Sequence, residues 1–167
     1  SILSGHNRYA HMTTLLNDQV NSQLLGMRKV VSDDSARRAL KRIDEDDGID
    51  WLQTHLQRCY ELLLTQDWIL DSDVTIKPLY GRQEGAEVGY NPHKPGRPSH
   101  TYHTYMIANL RLVLDVEVQA GNRSASSHSA PGLWELLDRL PRDCWPNFIR
   151  GDCDWGVDDV MTTAEEM

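Results

Sequence analysis

The chain has 167 residues, a net charge of −8 and a hydrophobic fraction of 40%, which suffices for one domain with a sizeable core. No apolar run approaches the ~18 residues of a membrane-spanning helix, and no basic segment followed by an apolar one marks a signal peptide. These properties exclude a membrane protein and a disordered tail. Because the chain starts at Ser1 and its last apparent helix continues to Met167, we expect it to be part of a longer protein.

Charge is distributed unevenly along the chain. Residues 1–43 hold seven basic and three acidic residues, and residues 76–111 hold five basic and two acidic ones. The other two blocks, 44–75 and 112–167, are strongly acidic. Basic blocks of this kind can form a surface for a polyanion, and a solvated surface of mixed sign is the alternative.

Three helices are predicted in the N-terminal part, over residues 7–27, 36–43 and 49–65. The second follows N-cap residues at 32–35, and an acidic break at 44–48 separates it from the third. Its size is that of a DNA-recognition helix, although a solvated helix face would look the same. The surface of this helix carries four basic residues, Arg37, Arg38, Lys41 and Arg42.

Residues 68–76 predict the first strand of a sheet, because apolar and polar residues alternate there. Leu70 and Val74 share one face, whereas Asp71 and Asp73 share the other. At ~3.3 Å per residue, the Cα atoms of the two aspartates are about 6.5–7 Å apart. A carboxylate on so apolar a strand is costly unless it is paired, hydrogen-bonded or bound to a metal.

The rest of the chain predicts a mixed α/β fold. Strands that alternate with helices in this order favour a mixed sheet with helices on its faces. The elements are a glycine- and proline-rich loop over 78–99, strands over 101–108 and 110–119, a helix over 131–140, a strand over 148–152 and a helix from 157.

Aspartates recur after the last predicted strand, where Asp152 and Asp154 repeat the spacing of the first pair. Carboxylates at the ends of strands suit a Mg²⁺ site, in which substrate phosphates and waters complete the coordination. Two such ions can activate a water or hydroxyl and stabilise the leaving oxygen of a phosphodiester. In the structural alternative, the acids cap turns or pair with nearby basic side chains, namely Arg150, Lys77 and Arg82.

The sequence around these aspartates resembles the DDE transposases of bacterial insertion sequences. Residues 70–75, Leu-Asp-Ser-Asp-Val-Thr, continued by 77–85, resemble the first catalytic block of that family. Residues 150–156, Arg-Gly-Asp-Cys-Asp-Trp-Gly, resemble the second block, in which a strand ends in a catalytic aspartate. Residues 89–100 and 114–122 resemble the segments between the two blocks.

The resemblance implies an RNase H-like fold and divalent-metal chemistry. It makes Asp73 the first catalytic acid, because the family's Asp-x-Thr pattern matches residues 73–75, with Asp71 as the alternative. Asp152 is implied as the second acid, and each would bind Mg²⁺ or Mn²⁺. The family's third acid, a glutamate, lies much further along. We therefore expect an incomplete fold, truncated before that residue.

The resemblance also implies double-stranded DNA as the partner, both as insertion-sequence ends and as target. Residues 1–66 would form a helical, partly basic DNA-binding region, and residues 67–167 the N-terminal part of the catalytic domain. Such enzymes commonly act as homodimers, in the bacterial cytoplasm at the nucleoid. Near the active site, phosphate contacts are expected from Lys77, Arg82, Lys94 and Arg97, with the histidines His93, His100 and His103. Without a neighbouring cysteine, these histidines favour such contacts over a zinc site.

Three other functions are open on the sequence. A truncated or decayed copy would bind DNA without cutting it. A different RNase H-like nuclease would hydrolyse DNA or RNA without joining strands. A plain α/β domain would use the same aspartates only to stabilise its fold.

Overall fold

A computed structural model describes residues 8–167 of the chain. The chain divides into two compact units, Ser1–Leu52, described from residue 8 onward, and Gln53–Met167. The functional boundary predicted between residues 66 and 67 stays a prediction. None of the helices in residues 8–167 has the length and apolar character that crossing a bilayer requires.

Short helices build the first unit. In place of the single helix predicted over residues 7–27, whose first residue lies outside the described part, α1 (Met12–Leu16) and α2 (Gln19–Leu24) follow one another. The side chain of Asp18 accepts a hydrogen bond from the Val20 N–H at 2.9 Å. This N-cap ends one helix and begins the next, which apolar spacing alone does not reveal.

The second predicted helix is confirmed by α3 (Asp33–Leu40). The Ser32 hydroxyl caps it by accepting a hydrogen bond from the Ser35 N–H at 3.3 Å, and two aspartates occupy its first turn. The basic residues predicted to bind DNA lie on this helix and the turn after it. All four are exposed: Arg37, Arg38, Lys41 and Arg42.

The third helix, α4 (Glu45–Tyr60), begins inside the acidic stretch that was expected to be a break. The carboxylate of Asp44 accepts a hydrogen bond from the Asp46 N–H at 3.1 Å, and three acidic residues fill the first turn. Acidic groups there interact favourably with the positive end of the helix dipole, so the acidic run starts the helix. At the other end Tyr60 is buried, whereas the adjacent Cys59 is exposed.

A five-stranded mixed sheet organises the second unit. β1 is antiparallel to β3 on one side and parallel to β5 on the other, and β3 also pairs with β2 and β4. This order, with helices against the sheet, confirms the predicted α/β class with a mixed sheet flanked by helices. The strands are β1 (Ile69–Pro78), β2 (Glu87–Val88), β3 (Pro98–Ile107), β4 (Leu112–Ala120) and β5 (Phe148–Arg150).

Helices follow β4 and β5. A π-helical turn (Ala125–Ser129), opened by a capping box at Ser124, leads into α5 (Ala130–Asp138). This is the helix predicted over residues 131–140. After β5, α6 (Asp158–Glu166) begins where a helix was predicted from residue 157.

The core lies between α5 and one face of the sheet. Trp68 is 1% exposed, and its indole Nε1 donates a hydrogen bond to the Cys144 carbonyl at 3.1 Å. Burying a large apolar side chain contributes about 1.5–3 kcal/mol, so this cluster stabilises the unit. Its other buried members include Leu70, Tyr105, Ile107, Leu114, Leu133, Leu136 and Leu137.

The backbone of α5 lies close to the sheet at Gly132. A Cβ atom at this position would come within 2.5 Å of the Tyr105 hydroxyl and within 2.5 Å of Oε1 of Glu117. Such distances are far inside van der Waals contact. A side chain here would force the Tyr105 hydroxyl or the Glu117 carboxylate to shift, so glycine favours this close approach, which brings the helix over polar side chains of β3 and β4.

The burial of β4 differs from the uniform alternation that its sequence predicts. Its register with β3 shifts between Tyr105 and Met106. As a result, the adjacent residues Leu114 and Asp115 are both buried, whereas Val116 is exposed. A β-bulge of this kind turns neighbouring side chains to the same face, and the local pattern of apolar residues does not reveal it.

Candidate active site

β1 presents the two predicted aspartates on one face, as its alternation indicates. Leu70 and Ser72 on the opposite face are 0% and 4% exposed, whereas Asp71 is half-buried and Asp73 is exposed. Side chains alternate along a strand, so Asp71 and Asp73 lie on the side away from the core. Their carboxylates are accessible there without a large desolvation cost.

Asp71 is bound by Arg150, its register partner on β5. Arg150 Nε donates to Asp71 Oδ1 at 2.5 Å, and Nη2 donates to Oδ2 at 2.6 Å, which makes a bidentate ion pair. These hydrogen bonds hold the pKa of the Asp71 carboxyl below its usual range. Both carboxylate oxygens are therefore engaged by a protein cation.

Asp73 has no comparable partner. Within residues 8–167, no hydrogen bond or ion pair engages its carboxylate, which lies opposite Thr104 of β3 in the sheet register. Both of its oxygens are consequently available to a ligand. This is the difference between two aspartates that the sequence pattern treats alike.

Asp152 lies in the turn that follows β5. Its Oδ1 accepts a hydrogen bond from the Asp154 N–H at 3.0 Å, which caps a 3₁₀ turn over Cys153–Trp155. The carboxylate of Asp154 in turn accepts from the Ala125 N–H at 2.8 Å. The loop after β5 is thus tied to the π-helical turn, and one oxygen of Asp152 has no hydrogen-bond partner in the described chain.

Asp152 and Asp154 line a cleft of 480 Å³. Val74 of β1 and the cation Arg123 also line it. Asp73 is not among the lining residues, because it lies on the other face of β1 from Val74. The structure therefore brings Asp152 and Asp154 into one cavity and leaves Asp73 outside it.

No three His, Cys, Asp or Glu side chains within residues 8–167 are grouped so that they could hold a metal ion. The predicted acids nevertheless have oxygens to offer, two from Asp73 and one from Asp152. Each lies two residues beyond a member of the Asp71–Arg150 pair, which is the last pair in the parallel register of β1 and β5. Mg²⁺ is usually bound by one or two carboxylates together with substrate phosphates and waters. Asp73 and Asp152 each have oxygens to offer to such an ion, but they do not line one cavity.

The basic residues predicted to contact DNA lie on β1 and the long loop after it. Lys77, Arg82 and Lys94 are exposed. Arg97 is half-buried, with its guanidinium 4.4 Å from the centre of the Tyr80 ring. This cation–π contact orders Arg97, whereas no hydrogen bond or ion pair within residues 8–167 engages the other three side chains.

Of the three histidines predicted to contact DNA phosphates, one does not lie where the prediction places it. His93 is exposed, and Nε2 of His100 lies 2.9 Å from the Glu84 carbonyl oxygen. His103 is 0% exposed, so the expectation that it lines a DNA path is wrong. Alternation along β3 turns its side chain into the core.

A buried hydrogen-bond network fixes the tautomer of His103. Thr101 uses its hydroxyl proton to donate to the Ala120 carbonyl at 3.1 Å, so it accepts from His103 Nε2 at 2.9 Å. Nδ1 of His103 then accepts a hydrogen bond from the Ser129 hydroxyl. The neutral ring satisfies both partners. Burial, reinforced by the nearby His128, lowers the pKa of His103 to about 4.

Further polar groups surround this histidine. The His128 ring lies edge-on to His103 with 4.7 Å between centroids, and its Nε2 is 2.5 Å from the Glu117 carboxylate. The Tyr105 hydroxyl donates to the Ser129 carbonyl at 2.9 Å. Sequence reasoning missed this network, and the position of His103 among alternating residues is its sole local signal.

Asp115 is a buried acid on β4. It is 7% exposed, and its Oδ2 accepts hydrogen bonds from Arg139 at 2.9 Å and from Gln53 at 3.0 Å. Its charge is therefore compensated. Both oxygens have protein donors, since the Val116 N–H reaches Oδ1 at 2.8 Å. Asp115 thus connects β4 to Gln53 and to Arg139, the residue that follows α5.

Comparisons with known proteins give one distant structural likeness. The chain is similar to Mos1 transposase, solved as a paired-end complex with the left transposon end, at 12% sequence identity and a TM-score of 0.38. The similarity covers 95% of this chain, and the chain spans 56% of the length of that protein. No family model and no curated protein matches the chain.

Proposed function

We propose that this chain is part of a DDE transposase of a bacterial insertion sequence, which cuts DNA ends and joins them to a target. One observation carries the proposal. β1 and β5 are parallel neighbours, and Asp73 and Asp152 each follow the Asp71–Arg150 pair by two residues. In this assignment Asp73 is the first acid and Asp152 the second. Asp71, engaged by Arg150, is the weaker alternative for the first position.

Mg²⁺ or Mn²⁺ would supply Lewis-acid stabilisation of the phosphodiester oxygens. The chain's own contribution is to hold carboxylates toward that ion. Asp73 offers a carboxylate without protein partners in residues 8–167, and Asp152 offers one oxygen while the other caps its turn. Catalysis on this basis relies on phosphates of bound DNA to complete the coordination.

Double-stranded DNA is the proposed partner. The exposed cations of the loop after β1 would contact DNA phosphates near the acids. The basic surface of α3 would bind the end of the insertion sequence. In this proposal residues 1–66 bind DNA and residues 67–167 form part of the catalytic domain. The proposal places the protein at the nucleoid in a bacterial cytoplasm, acting as a homodimer on paired ends.

The direct test is an assay for cut and joined DNA. It uses a complete transposase that contains residues 1–167, a labelled DNA carrying the element's ends, and a target plasmid. We expect strand cleavage and joined products with Mg²⁺ or Mn²⁺ and neither product with EDTA. Cleavage without joining would assign the chain to a hydrolytic RNase H-like nuclease instead.

A non-catalytic DNA-binding remnant is the second candidate. Its support is the absence, within residues 8–167, of three grouped side chains that could hold a metal. Such a protein would bind DNA in a salt-dependent way and yield no cleavage with any divalent ion. The same assay therefore separates the two candidates.

Replacing Lys94 with glutamine should weaken DNA binding and make it less sensitive to salt. Each phosphate contact releases counterions, so losing one should lower the slope of log K against log [salt] by about 1. Fluorescence anisotropy at several salt concentrations measures that slope. Arg142→Gln removes an exposed cation that lies outside residues 1–66 and outside both basic blocks, and it is the control. Equal slopes for the two variants would contradict the placement of DNA along this loop.

A further inference from the structure

An apolar groove lies in the first unit, where α3 ends and α4 begins. Its volume is 730 Å³, and residues of both helices line it. Contiguous apolar patches that stay exposed in a folded protein mark interaction sites, because their contact with water is unfavourable. Here five large apolar side chains line the groove, each between 44% and 61% exposed: Leu40, Ile43, Ile49, Trp51 and Leu52.

Acidic side chains border this groove. Asp44, Glu45 and Asp47, at the start of α4, line it together with the apolar residues. Asp44 caps the helix, whereas no hydrogen bond or ion pair within residues 8–167 engages the Glu45 carboxylate. Acids beside an apolar surface favour a partner that brings both apolar and basic side chains.

The end of α3 carries side chains of that kind. Leu40 and Ile43 line the groove, and Lys41 lies between them in the sequence. Lys41 is exposed, and no hydrogen bond or ion pair in the described chain engages its ammonium group. The surface thus combines an apolar centre with acids and an adjacent lysine. A surface of this composition can be complementary to a second copy of itself after a two-fold rotation.

We propose that this groove is the interface through which two copies of the chain associate. In the proposed contact, the apolar side chains of one copy pack on those of the other about a two-fold axis. Lys41 of each copy then faces Glu45 of the other copy, so both charges gain a partner. This inference rests on the proposed function for the homodimer, to which it gives an interface.

DNA does not fit this groove, because the acids that line it repel phosphates. The basic surface of α3 remains open to DNA in such a dimer. Arg38 lies two residues before Leu40 and therefore about 160° around the helix from it. We therefore expect Arg38→Gln to weaken DNA binding without weakening the dimer.

The test is sedimentation equilibrium of the 167-residue chain at a series of concentrations, from which we expect a monomer–dimer equilibrium. Leu52→Ser removes a groove side chain that is 61% exposed, so folding should tolerate the change. Its dimer dissociation constant should rise by about tenfold or more, because the change acts once in each copy. Leu62→Ser removes a leucine that is 80% exposed and lies outside the groove. It is the matched control and should dimerise normally.

An exchange of charges tests the two-fold arrangement. Lys41→Glu and Glu45→Lys each place like charges opposite one another, so each variant alone should be monomeric at concentrations at which the unmodified chain is dimeric. An equimolar mixture of the two variants restores both attractive contacts and should contain dimers again. Because neither variant has to refold for this recovery, it separates a lost contact from a lost fold.

Three results would overturn the inference. A chain that stays monomeric at every concentration leaves the groove to a different occupant, such as a basic helix of another protein. A dimer that Leu52→Ser does not weaken uses another surface. A mixture that stays monomeric excludes the pairing of Lys41 with Glu45.

The dimer and the proposed function can fail separately. If the chain dimerises through the groove and the complete transposase neither cuts nor joins DNA, the proposed function fails and the interface stands. If the chain is monomeric and cut and joined products form, the inference alone fails.

Discussion

Replacing Asp73 with asparagine is expected to abolish metal-dependent DNA cleavage by the complete transposase while DNA affinity stays unchanged. Asparagine keeps the size of the side chain but removes the charge that the metal requires. Metal ions contribute several kcal/mol to stabilising the transition state of phosphoryl transfer. A loss of about 4 kcal/mol corresponds to a rate reduced about 1,000-fold. A time course of labelled product under single-turnover conditions measures this rate.

Three further variants test which aspartates are responsible for cleavage. Asp152→Asn should cause a loss of similar size, and Asp71→Asn a smaller one, because Arg150 already engages both Asp71 oxygens. Asp138→Asn removes an exposed acid from the end of α5 and is the matched control. Full cleavage by the Asp73 variant, or a larger loss in the Asp71 variant, would reassign the first acid.

The buried His103 should make the fold sensitive to moderate acid. Its pKa in the folded chain is about 4, against an ordinary value of 6.5, because burial disfavours the charged ring. Below pH 6.5 the unfolded chain takes up a proton that the folded chain does not. The stabilising contribution is thus complete above pH 6.5 and is lost as the pH falls toward 4. The difference amounts to roughly 3 kcal/mol.

Urea unfolding at pH 7, 6, 5 and 4.5 measures this loss as a falling midpoint. His103→Gln removes the titrating ring, so its midpoint should change less over the same range, although its stability at pH 7 is lower. His93→Gln replaces an exposed histidine and should follow the unmodified chain. Asp71 affects the stability of the fold over a separate pH range, below its ordinary pKa of 3.8, because Arg150 depresses its pKa. Identical profiles for His103→Gln and the unmodified chain would refute the assignment.

Local sequence patterns were sufficient to predict most strands of the sheet. Residues 68–76 alternate clearly, and the corresponding strand Ile69–Pro78 buries the face that the pattern selects. The glycine- and proline-rich stretch is indeed mostly loop, with one short strand pair at Glu87–Val88. Alternation and helix caps are properties of a few neighbouring residues, so they can be recognised without knowing the tertiary structure.

The differences between the predicted and the observed structure have physical causes that the spacing of apolar residues does not report. The start of α4 is set by acidic residues that stabilise a helix end but discourage a helix interior. The burial of Asp115 depends on Arg139, 24 residues away, and on a bulge in the pairing of β4. His103 is buried because the π-helical turn Ala125–Ser129 covers its face of the sheet, and alternation along residues 98–107 does not specify which face is covered.

The candidate site was only partly accessible from sequence for the same reason. That Asp71 and Asp73 share a face follows from their spacing. Which of them is engaged by a cation depends on the register between β1 and β5, which pairs Asp71 with Arg150. That register links residues 79 positions apart. From the sequence alone, Arg150 is one of three basic residues that could pair with the aspartates. The observed register makes it the partner of Asp71.

The close contact between Gly151 and Trp155 gives the chain an optical reporter next to Asp152. Trp155 is 8% exposed, and within the described residues its indole nitrogen has no hydrogen-bond partner. An indole in such a dry environment emits at short wavelength, and entry of water shifts the emission to the red. Any ligand that moves the Asp152 turn would therefore change the intrinsic fluorescence. Occupancy of this turn can be followed spectroscopically without attaching a dye.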